Sequence, residues 1–220
     1  MAQSSRSSRR TPLVTTRSVA RTDFPVVESL FGKNGACGGC WCMYWRVEKG
    51  GKSWDAMLGE PAKRGLRGLI ESGEVHAVLA FVDGEPAGWC LFGRRAEFPR
   101  LARVRALAHA FDEKTWSVVC FFVRSGHRGA GIATALLAHA KEAAGRAGAQ
   151  RLEGYPVRSS KGPGAPIPAA FAWTGVPEVF ERNGFKRVSA PDAVRDVYAF
   201  DFGPSKKTAR TAARTRRPRA

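Results

Sequence analysis

The most constraining feature of this sequence is an apolar strand that runs into a glycine-spaced turn and then into a helix. The strand is predicted over residues 116–123 and the helix from Ile132 to about Ala147, where apolar residues recur at helical spacing. Between them, Gly129 and Gly131 allow a close backbone approach to an anion, and Arg128 adds a positive charge. The first N–H groups of a helix lack internal partners and favour negative groups. The segment therefore predicts a phosphate-binding turn.

The spacing of the turn decides which phosphate loop it resembles. A P-loop needs Gly-Lys-Ser/Thr and the dinucleotide fingerprint needs three glycines, and neither is present here. The run Arg128-Gly-Ala-Gly-Ile-Ala133 fits Arg/Gln-x-x-Gly-x-Gly/Ala and resembles the coenzyme A loop of the GNAT N-acetyltransferase family. A second segment, Val179-Phe-Glu-Arg-Asn-Gly-Phe185, is similar to the last helix of that family and the strand that follows it.

The resemblance implies an α/β fold with a mixed, mostly antiparallel central sheet flanked by helices. It implies a splayed strand ending at Val123, whose free backbone groups bind pantetheine and whose amide stabilises an oxyanion. The implied activity is transfer of an acetyl group from acetyl-CoA, as cosubstrate, to an amine by direct attack. The acceptor stays open among an antibiotic, a polyamine, an amino acid and a protein N-terminus. The resemblance assigns coenzyme binding to Phe121, Val123, Arg128, Gly129, Ala130, Gly131, Ile132, Ala133 and Thr134.

The sequence departs from the family pattern at Ser125, where proline is frequent, at His127, where an aromatic residue is common, and at Phe180. At the position of Phe180, many family members carry a tyrosine that protonates the departing thiolate. The candidate acid here is Tyr155, at the end of the strand beside the coenzyme strand; a half-buried tyrosine before a proline turn is the alternative. The general base stays open between an ordered water chain and the carboxylates of Glu97, Asp112, Glu113 and Glu153.

The rest of the chain reads as alternating strands and helices around a Pro/Gly-rich loop at 156–168. The other predicted strands are 13–19, 75–82, 87–92, 151–155, 185–188 and 197–202, and the other predicted helices are 23–31, 61–71 and 177–183.

Charge is concentrated at the two ends of the chain. Residues 1–22 and 205–220 hold twelve of the seventeen net positive charges and are predicted to be disordered basic tails around one domain, residues 23–204. Such tails attract polyanions in a salt-dependent way, so weak nucleic-acid contact is a possible partner interaction. With no long apolar run and no secretory leader, we expect a cytoplasmic protein without membrane contact. Oligomeric state is not predicted.

Three thiols, Cys37, Cys40 and Cys42, lie within six residues. A structural zinc site needs four ligands and no second Cys-x-x-Cys exists, so we predict reduced, metal-free cysteines. In the family, the segment between the first two helices covers the acceptor site. The resemblance therefore implies that these cysteines line it with Trp41, Tyr44 and Trp45; plain core packing is the alternative. Arg94 and Arg95 are expected to be solvated, and a role in holding an acidic acceptor is the alternative.

Two other functions fit parts of the sequence. A non-catalytic acyl-CoA-binding module, whose basic tails engage nucleic acid or a partner, fits the absence of a tyrosine at Phe180. A zinc-dependent nucleic-acid binder fits only the cysteines and the tails. Binding of acetyl-CoA would separate the acetyltransferase and the binding module from the zinc-dependent nucleic-acid binder. Turnover would separate the acetyltransferase from the binding module.

Overall fold

The computed structural model describes residues 13–48, 51–159, 162, 165, 167–168 and 170–203. The strands are β1 (Val14–Ser18), β2 (His76–Val82), β3 (Glu85–Arg94), β4 (Thr115–Val123), β5 (Arg151–Gly154), β6 (Lys186–Arg187) and β7 (Tyr198–Asp201). The helices are α1 (Phe24–Phe31), α2 (Lys52–Asp55), α3 (Glu60–Ser72), α4 (Ile132–Arg146) and α5 (Pro177–Arg182). Short 3-10 helices cover Arg95–Glu97, Pro99–Arg103 and Ser125–His127.

The strands form one seven-stranded sheet in the order β1-β2-β3-β4-β5-β7-β6. The β4–β5 pair is parallel, and every other neighbouring pair is antiparallel. The fold class expected from the resemblance, a mixed and mostly antiparallel sheet flanked by helices, is therefore confirmed. Among the described residues, no helix combines the length and the apolar character that a membrane crossing requires.

Alternating side chains of the central strands build a separate core on each face of the sheet. Leu79 and Trp89 point to the face covered by α1 and α3, whereas their neighbours Val78 and Cys90 point to the face covered by α4. Helix α4 lies close against β3, because a Cβ at Gly88 would stand 2.7 Å from the Ile132 side chain. The start of α4 is thereby fixed against the centre of the sheet.

The N-terminal boundary of the domain differs from the prediction. Val14–Ser18 pairs with β2 as an edge strand, and Arg17 donates hydrogen bonds to the Asp23 carboxylate, one of them 2.9 Å long. The placement of the first 22 residues in a disordered tail is therefore wrong for residues 13–22, whereas the strand predicted over residues 13–19 is present as β1. An edge strand needs only one apolar side, so its polar composition resembled that of a tail. Residues 1–12 and the whole predicted C-terminal tail lie outside the described residues.

Strands β4 and β5 separate halfway along β4. They pair only between Thr115–Val118 and Arg151–Gly154. On the other edge of β4 the register with β3 shifts, so that Val119 forms a bulge between the residues opposite Leu91 and Phe92. The Trp45 indole N–H donates to the Val119 carbonyl over 3.0 Å. The second half of β4 is thus not paired with β5. This agrees with the splayed strand ending at Val123 that the family resemblance implies.

Candidate active site

A cavity of about 830 Å³ opens beside the second half of β4. One wall is β4 itself, through Cys120, Phe121, Phe122 and Val123. One end is the turn before α4, and the other is the loop between α1 and α2. Residues of these two ends, of the first turn of α4, of the segment before α5 and of α5 itself complete the lining: Ala36, Cys37, Cys40, Tyr44, His127, Arg128, Gly129, Gly131, Ile132, Ala133, Thr134, Ala170, Ala172, Trp173, Gly175, Val176, Val179 and Arg182.

The turn before α4 has the backbone geometry that the sequence predicted. Gly129 and Gly131 have φ values of 80° and 76°, a left-handed conformation that favours glycine. Gly131 is the residue before the first turn of α4, and no side chain caps that end. The first N–H groups of the helix therefore lack helical partners. A Cβ at either glycine would meet nothing within 4 Å, so the space above the turn is open to a ligand.

The cavity is cationic at this end. Arg128 and Arg182 line the cavity, and the Arg128 side chain is held by a 3.2 Å hydrogen bond from Nε to the Val123 carbonyl. The described residues that line the cavity include no Asp or Glu. The combination of fixed positive charge and free N–H groups suits a phosphate or pyrophosphate group. Of the nine predicted coenzyme-binding residues, all but Ala130 line this cavity.

The backbone N–H groups of Phe121 and Val123, in the second half of β4, both bear on how β4 could bind a ligand. The Phe121 N–H donates to the Trp173 carbonyl over 2.6 Å, so this amide is occupied rather than free. Because strand residues two apart point their amides the same way, Val123 also directs its N–H away from β3. The partner of Phe121 comes from the segment after the Pro/Gly-rich loop, where the Gly175 carbonyl also accepts the Val157 N–H.

Phe180, at the position where many relatives carry a tyrosine, is a core residue. Its ring is fully buried and packs edge-on against Phe121 at a centroid distance of 6.1 Å. Gly154 makes room for it, since a Cβ at that position would lie 2.0 Å from the Phe180 ring. Phe180 is not part of the cavity lining.

Tyr155, the candidate acid from the sequence, is fully buried and does not line the cavity. Its hydroxyl lies 2.7 Å from Ser117 Oγ and 3.1 Å from Glu153 Oε2, and it accepts a hydrogen bond from Arg95. Burial, reinforced by the Glu153 charge, raises the pKa of Tyr155 above its usual value. A proton held this tightly, away from the cavity, does not suit a general acid.

Arg95 was expected to be solvated, and this is wrong, although Arg94 is exposed. The Arg95 guanidinium donates to Glu153 over 3.2 Å, to the Tyr155 hydroxyl and to the Leu107 carbonyl. The cause is the 3-10 helix that follows β3, which turns Arg95 inward onto the buried Glu153. Two consecutive arginines in a sequence do not reveal that one of them will meet Glu153, which is 58 positions away.

None of the four carboxylates considered as general base lines the cavity. Glu153 is buried and also contacts His109 and Arg151, each at 3.1 Å. Glu97 accepts a 3.0 Å hydrogen bond from Arg46. Asp112 and Glu113 are exposed in the connection before β4.

Tyr44 is the tyrosine of the α1–α2 loop, and it lines the cavity. Its ring lies 5.0 Å from that of Trp45 and 5.3 Å from those of Trp54 and Trp173, and the Arg100 guanidinium stacks on it at 3.8 Å. Trp41 and Trp45, which the sequence placed beside it, are core residues instead. Among the described lining residues, hydroxyl groups belong to Tyr44 and Thr134.

The cysteines are arranged differently from the cluster that the sequence suggested. Cys37 and Cys40 line the cavity, as does Cys120 of β4. Cys42 is in the core, with its Sγ 3.2 Å from that of Cys120. All five cysteines are free, and the described part of the chain holds no group of three or more metal-type side chains placed to bind an ion. Cys42 and Cys120 are 78 positions apart in the sequence, so no local motif predicts their contact.

Comparison with known proteins gives one family match. The model of a family described as "Acetyltransferase (GNAT) family" matches residues 43–159, more than half of the chain. No curated protein sequence is similar enough to count as a match.

Several solved structures have a similar fold. PaiA N-acetyltransferase from Thermoplasma acidophilum, in complex with coenzyme A, is 12% identical over 86% of this chain and 99% of its own, with a TM-score of 0.49. YncA from Salmonella typhimurium, solved with acetyl-CoA, is 12% identical over 88% and 96%, with a TM-score of 0.48. Ribosomal-protein-alanine N-acetyltransferase from Brucella melitensis is 15% identical over 86% and 99%, also with a TM-score of 0.48.

Proposed function

The chain belongs to the acetyltransferase (GNAT) family, and on that premise we propose that it transfers an acetyl group from acetyl-CoA to an amine by direct attack. One observation carries the proposal. The start of α4 lacks a side-chain cap and follows two left-handed glycines at the cationic end of a cavity beside the splayed half of β4. When bound, acetyl-CoA supplies the activated thioester; the chain supplies binding, orientation and proton handling.

The turn is proposed to hold the pyrophosphate. Gly129, Ala130 and Gly131 bring the backbone close, the N–H groups at Ile132, Ala133 and Thr134 donate, and Arg128 supplies charge. Arg182, which also lines the cavity, adds a second positive charge. The apolar wall formed by Phe121 and Val123 suits the uncharged pantetheine arm.

The Val123 amide is proposed to orient the thioester carbonyl, because it points away from β3 and into the gap between β4 and β5. The equivalent use of the Phe121 amide requires the Trp173 carbonyl to give up its 2.6 Å hydrogen bond. Coenzyme binding is therefore expected to shift the segment that carries Trp173.

We assign the role of general acid to Tyr44 in place of Tyr155. Tyr44 lines the acceptor end of the cavity, whereas the hydroxyl of Tyr155 is enclosed in the core. Since the described lining has no carboxylate, the amine is expected to lose its proton to water before attack.

A non-catalytic acyl-CoA-binding module is the second candidate, and it is favoured by the core position of Phe180, which leaves no hydroxyl there. The experiment that separates the two is a mass-spectrometric screen of an amine library incubated with acetyl-CoA and the full chain. The enzyme is expected to produce at least one acetylated amine at a rate well above a protein-free control. Tight acetyl-CoA binding without any acetylated product would favour the binding module.

A further inference from the structure

Two cysteines far apart in sequence meet at the inner wall of the cavity. The Sγ atoms of Cys42, in the α1–α2 loop, and Cys120, in β4, are 3.2 Å apart. The two thiols share a hydrogen bond, and they face each other across two separate elements of the fold. A short approach between two thiols is the geometry from which a disulfide can form with little backbone movement.

The α1–α2 loop holds Cys42 in this place at a conformational cost. Ala36, Trp41 and Cys42 all have positive φ values, of 70°, 42° and 56°, which non-glycine residues rarely adopt. Packing of the Trp41 ring against Phe31, at 5.6 Å, keeps this conformation in place. Left-handed non-glycine residues persist only where the surroundings over-determine them, and they concentrate at functional sites.

The pair is buried, yet it can be reached from the cavity. Cys42 is 3% and Cys120 6% exposed, but Cys120 is also part of the cavity lining. A small solute that enters the cavity therefore meets Cys120 first, with Cys42 directly behind it. Cys90 provides a contrast, because it is fully buried in β3 and does not line the cavity.

We propose that Cys42 and Cys120 form a modification site that closes to a disulfide when a small hydroperoxide enters the cavity. The Cys120 sulfur attacks one peroxide oxygen, the O–O bond breaks, and Cys120 becomes a sulfenic acid while the other oxygen takes up the proton that the thiol gave up and leaves as the first water. The Cys42 sulfur then attacks the Cys120 sulfur, the S–O bond breaks, and water leaves with the Cys42 proton. In total, two thiols and one hydrogen peroxide give one disulfide and two waters.

The order of the two steps follows from the surroundings of Cys42. The hydrogen bond to Cys120 and then burial raise the pKa of Cys42 well above its usual value, and Cys42 does not line the cavity. Cys120, on the cavity side, is the sulfur that the oxidant reaches. Cys42 acts as the resolving thiol.

The disulfide would join the α1–α2 loop to β4 at the residue that precedes Phe121. On the proposed function, this is the wall along which pantetheine lies, so bound acetyl-CoA should shield Cys120 from the oxidant. This shielding rests on the proposed function, whereas disulfide formation in the free protein does not.

The test uses peptide mapping without reduction. The full chain is treated with hydrogen peroxide, remaining thiols are blocked with N-ethylmaleimide, and trypsin is added. Cleavage after Lys33, Arg46, Lys114 and Arg124 places the two cysteines in peptides 34–46 and 115–124. The expected result is a linked pair of these peptides that separates on reduction, with tandem fragmentation locating the bridge at Cys42 and Cys120.

Single substitutions give the matched controls, because peptide 34–46 holds three cysteines. Cys37→Ser, Cys40→Ser and Cys90→Ser should keep the linked peptides, whereas Cys42→Ser and Cys120→Ser should lose them. A link that survives in Cys42→Ser, or the absence of a link in the oxidised wild type, would overturn the proposal. If a variant fails to fold, the fragmentation of the wild-type linked peptide still decides which cysteines are joined.

A second arm repeats the oxidation with saturating acetyl-CoA. A lower yield of the linked peptides is expected if the coenzyme lies along β4. An unchanged yield, with the link still present in the free protein, would count against the coenzyme position and leave the modification site standing.

Discussion

The hydroxyl groups of two tyrosines meet opposite surroundings. Tyr44 is a lining residue of the cavity within an aromatic cluster, while the hydroxyl of Tyr155 is enclosed by Ser117, Glu153 and Arg95. Sequence alone does not tell which way the side chain of either tyrosine points. The buried partner of Tyr155 decides the matter, because Arg95 reaches it from 60 positions away.

Substitution of each tyrosine by phenylalanine distinguishes a general acid, proposed for Tyr44, from a structural residue, proposed for Tyr155. Tyr44→Phe should lower kcat by about tenfold or more, as expected for loss of a general acid, with little change in stability. Tyr155→Phe should instead lower the free energy of unfolding by about 1–3 kcal/mol, because it leaves buried polar groups without a partner. Steady-state kinetics and denaturant unfolding of both variants measure this. A Tyr155→Phe enzyme that is fully stable but inactive would contradict the assignment.

The thiol of Cys40 should react in an unusual pH range. Burial is the main cause that raises the pKa of Cys40 to about 11, so only a small fraction is thiolate at neutral pH. Since the thiolate is the nucleophile, its alkylation rate should rise about tenfold per pH unit between about pH 8 and about pH 10.

The measurement is the rate of iodoacetamide labelling at Cys40, located within peptide 34–46 by tandem fragmentation. N-acetylcysteine serves as the reference thiol, and its rate should level off above about pH 9 because its pKa is near 8.5. Levelling of the Cys40 rate together with that of the reference would contradict a raised pKa at this half-buried position.

At the scale of elements, local patterns predicted the parts of the site that depend on neighbouring residues. The strand, glycine turn and helix from Trp116 to about Ala147 were predicted because glycine spacing and apolar periodicity are short-range signals. The meeting of Cys42 with Cys120, of Arg95 with Glu153 and of Trp173 with β4 was not, since each depends on how distant elements pack. The short helix α2 also carries no distinctive pattern.

The contact between α5 and β5 gives a test of how the gap between β4 and β5 is built. Gly154→Ala would place a methyl group 2.0 Å from the Phe180 ring, so we expect a loss of about 1–3 kcal/mol in the free energy of unfolding from overpacking. Phe180→Leu in the same chain should recover part of that loss. Thermal and denaturant unfolding of the single and double variants measures it.

Gly68→Ala is the matched control, since it lies in α3 with no atom within 4 Å of the added Cβ. Its stability should be unchanged or higher by up to about 1 kcal/mol. Equal stability of Gly154→Ala and Gly68→Ala would mean that Phe180 does not fill this space.

At the scale of the whole molecule, the end of the basic N-terminal segment and the start of the folded domain fall at different residues. The basic composition of residues 1–22 suggested a single tail, but β1 takes residues 14–18 into the sheet. Residues 1–12 and 204–220 hold ten of the seventeen net positive charges. Composition therefore reports where charge is concentrated, and strand pairing decides where the domain begins.

Two trimmed chains test this division. A chain of residues 13–203 should keep the thermal midpoint of the full protein, whereas one of residues 23–203 should have a lower midpoint because β2 loses its edge partner and Asp23 loses Arg17. Elution from a heparin column should move to lower salt when residues 1–12 and 204–220 are absent, since phosphate and sulfate contacts scale with the number of cations. Equal midpoints for both trimmed chains would contradict the role of β1.

The most direct test of the account is calorimetric titration of acetyl-CoA into the folded wild type, Gly131→Glu and Gly148→Glu. The two glycines match, with φ values of 76° and 90° and no atom within 4 Å of an added Cβ, but Gly131 begins α4 at the cavity and Gly148 follows its other end. Glu at position 131 puts bulk and negative charge where the pyrophosphate is proposed to bind. Affinity should then fall by far more than the tenfold that about 1.4 kcal/mol represents, while Gly148→Glu binds like the wild type. Equal affinities of a folded Gly131→Glu variant and the wild type would contradict the account.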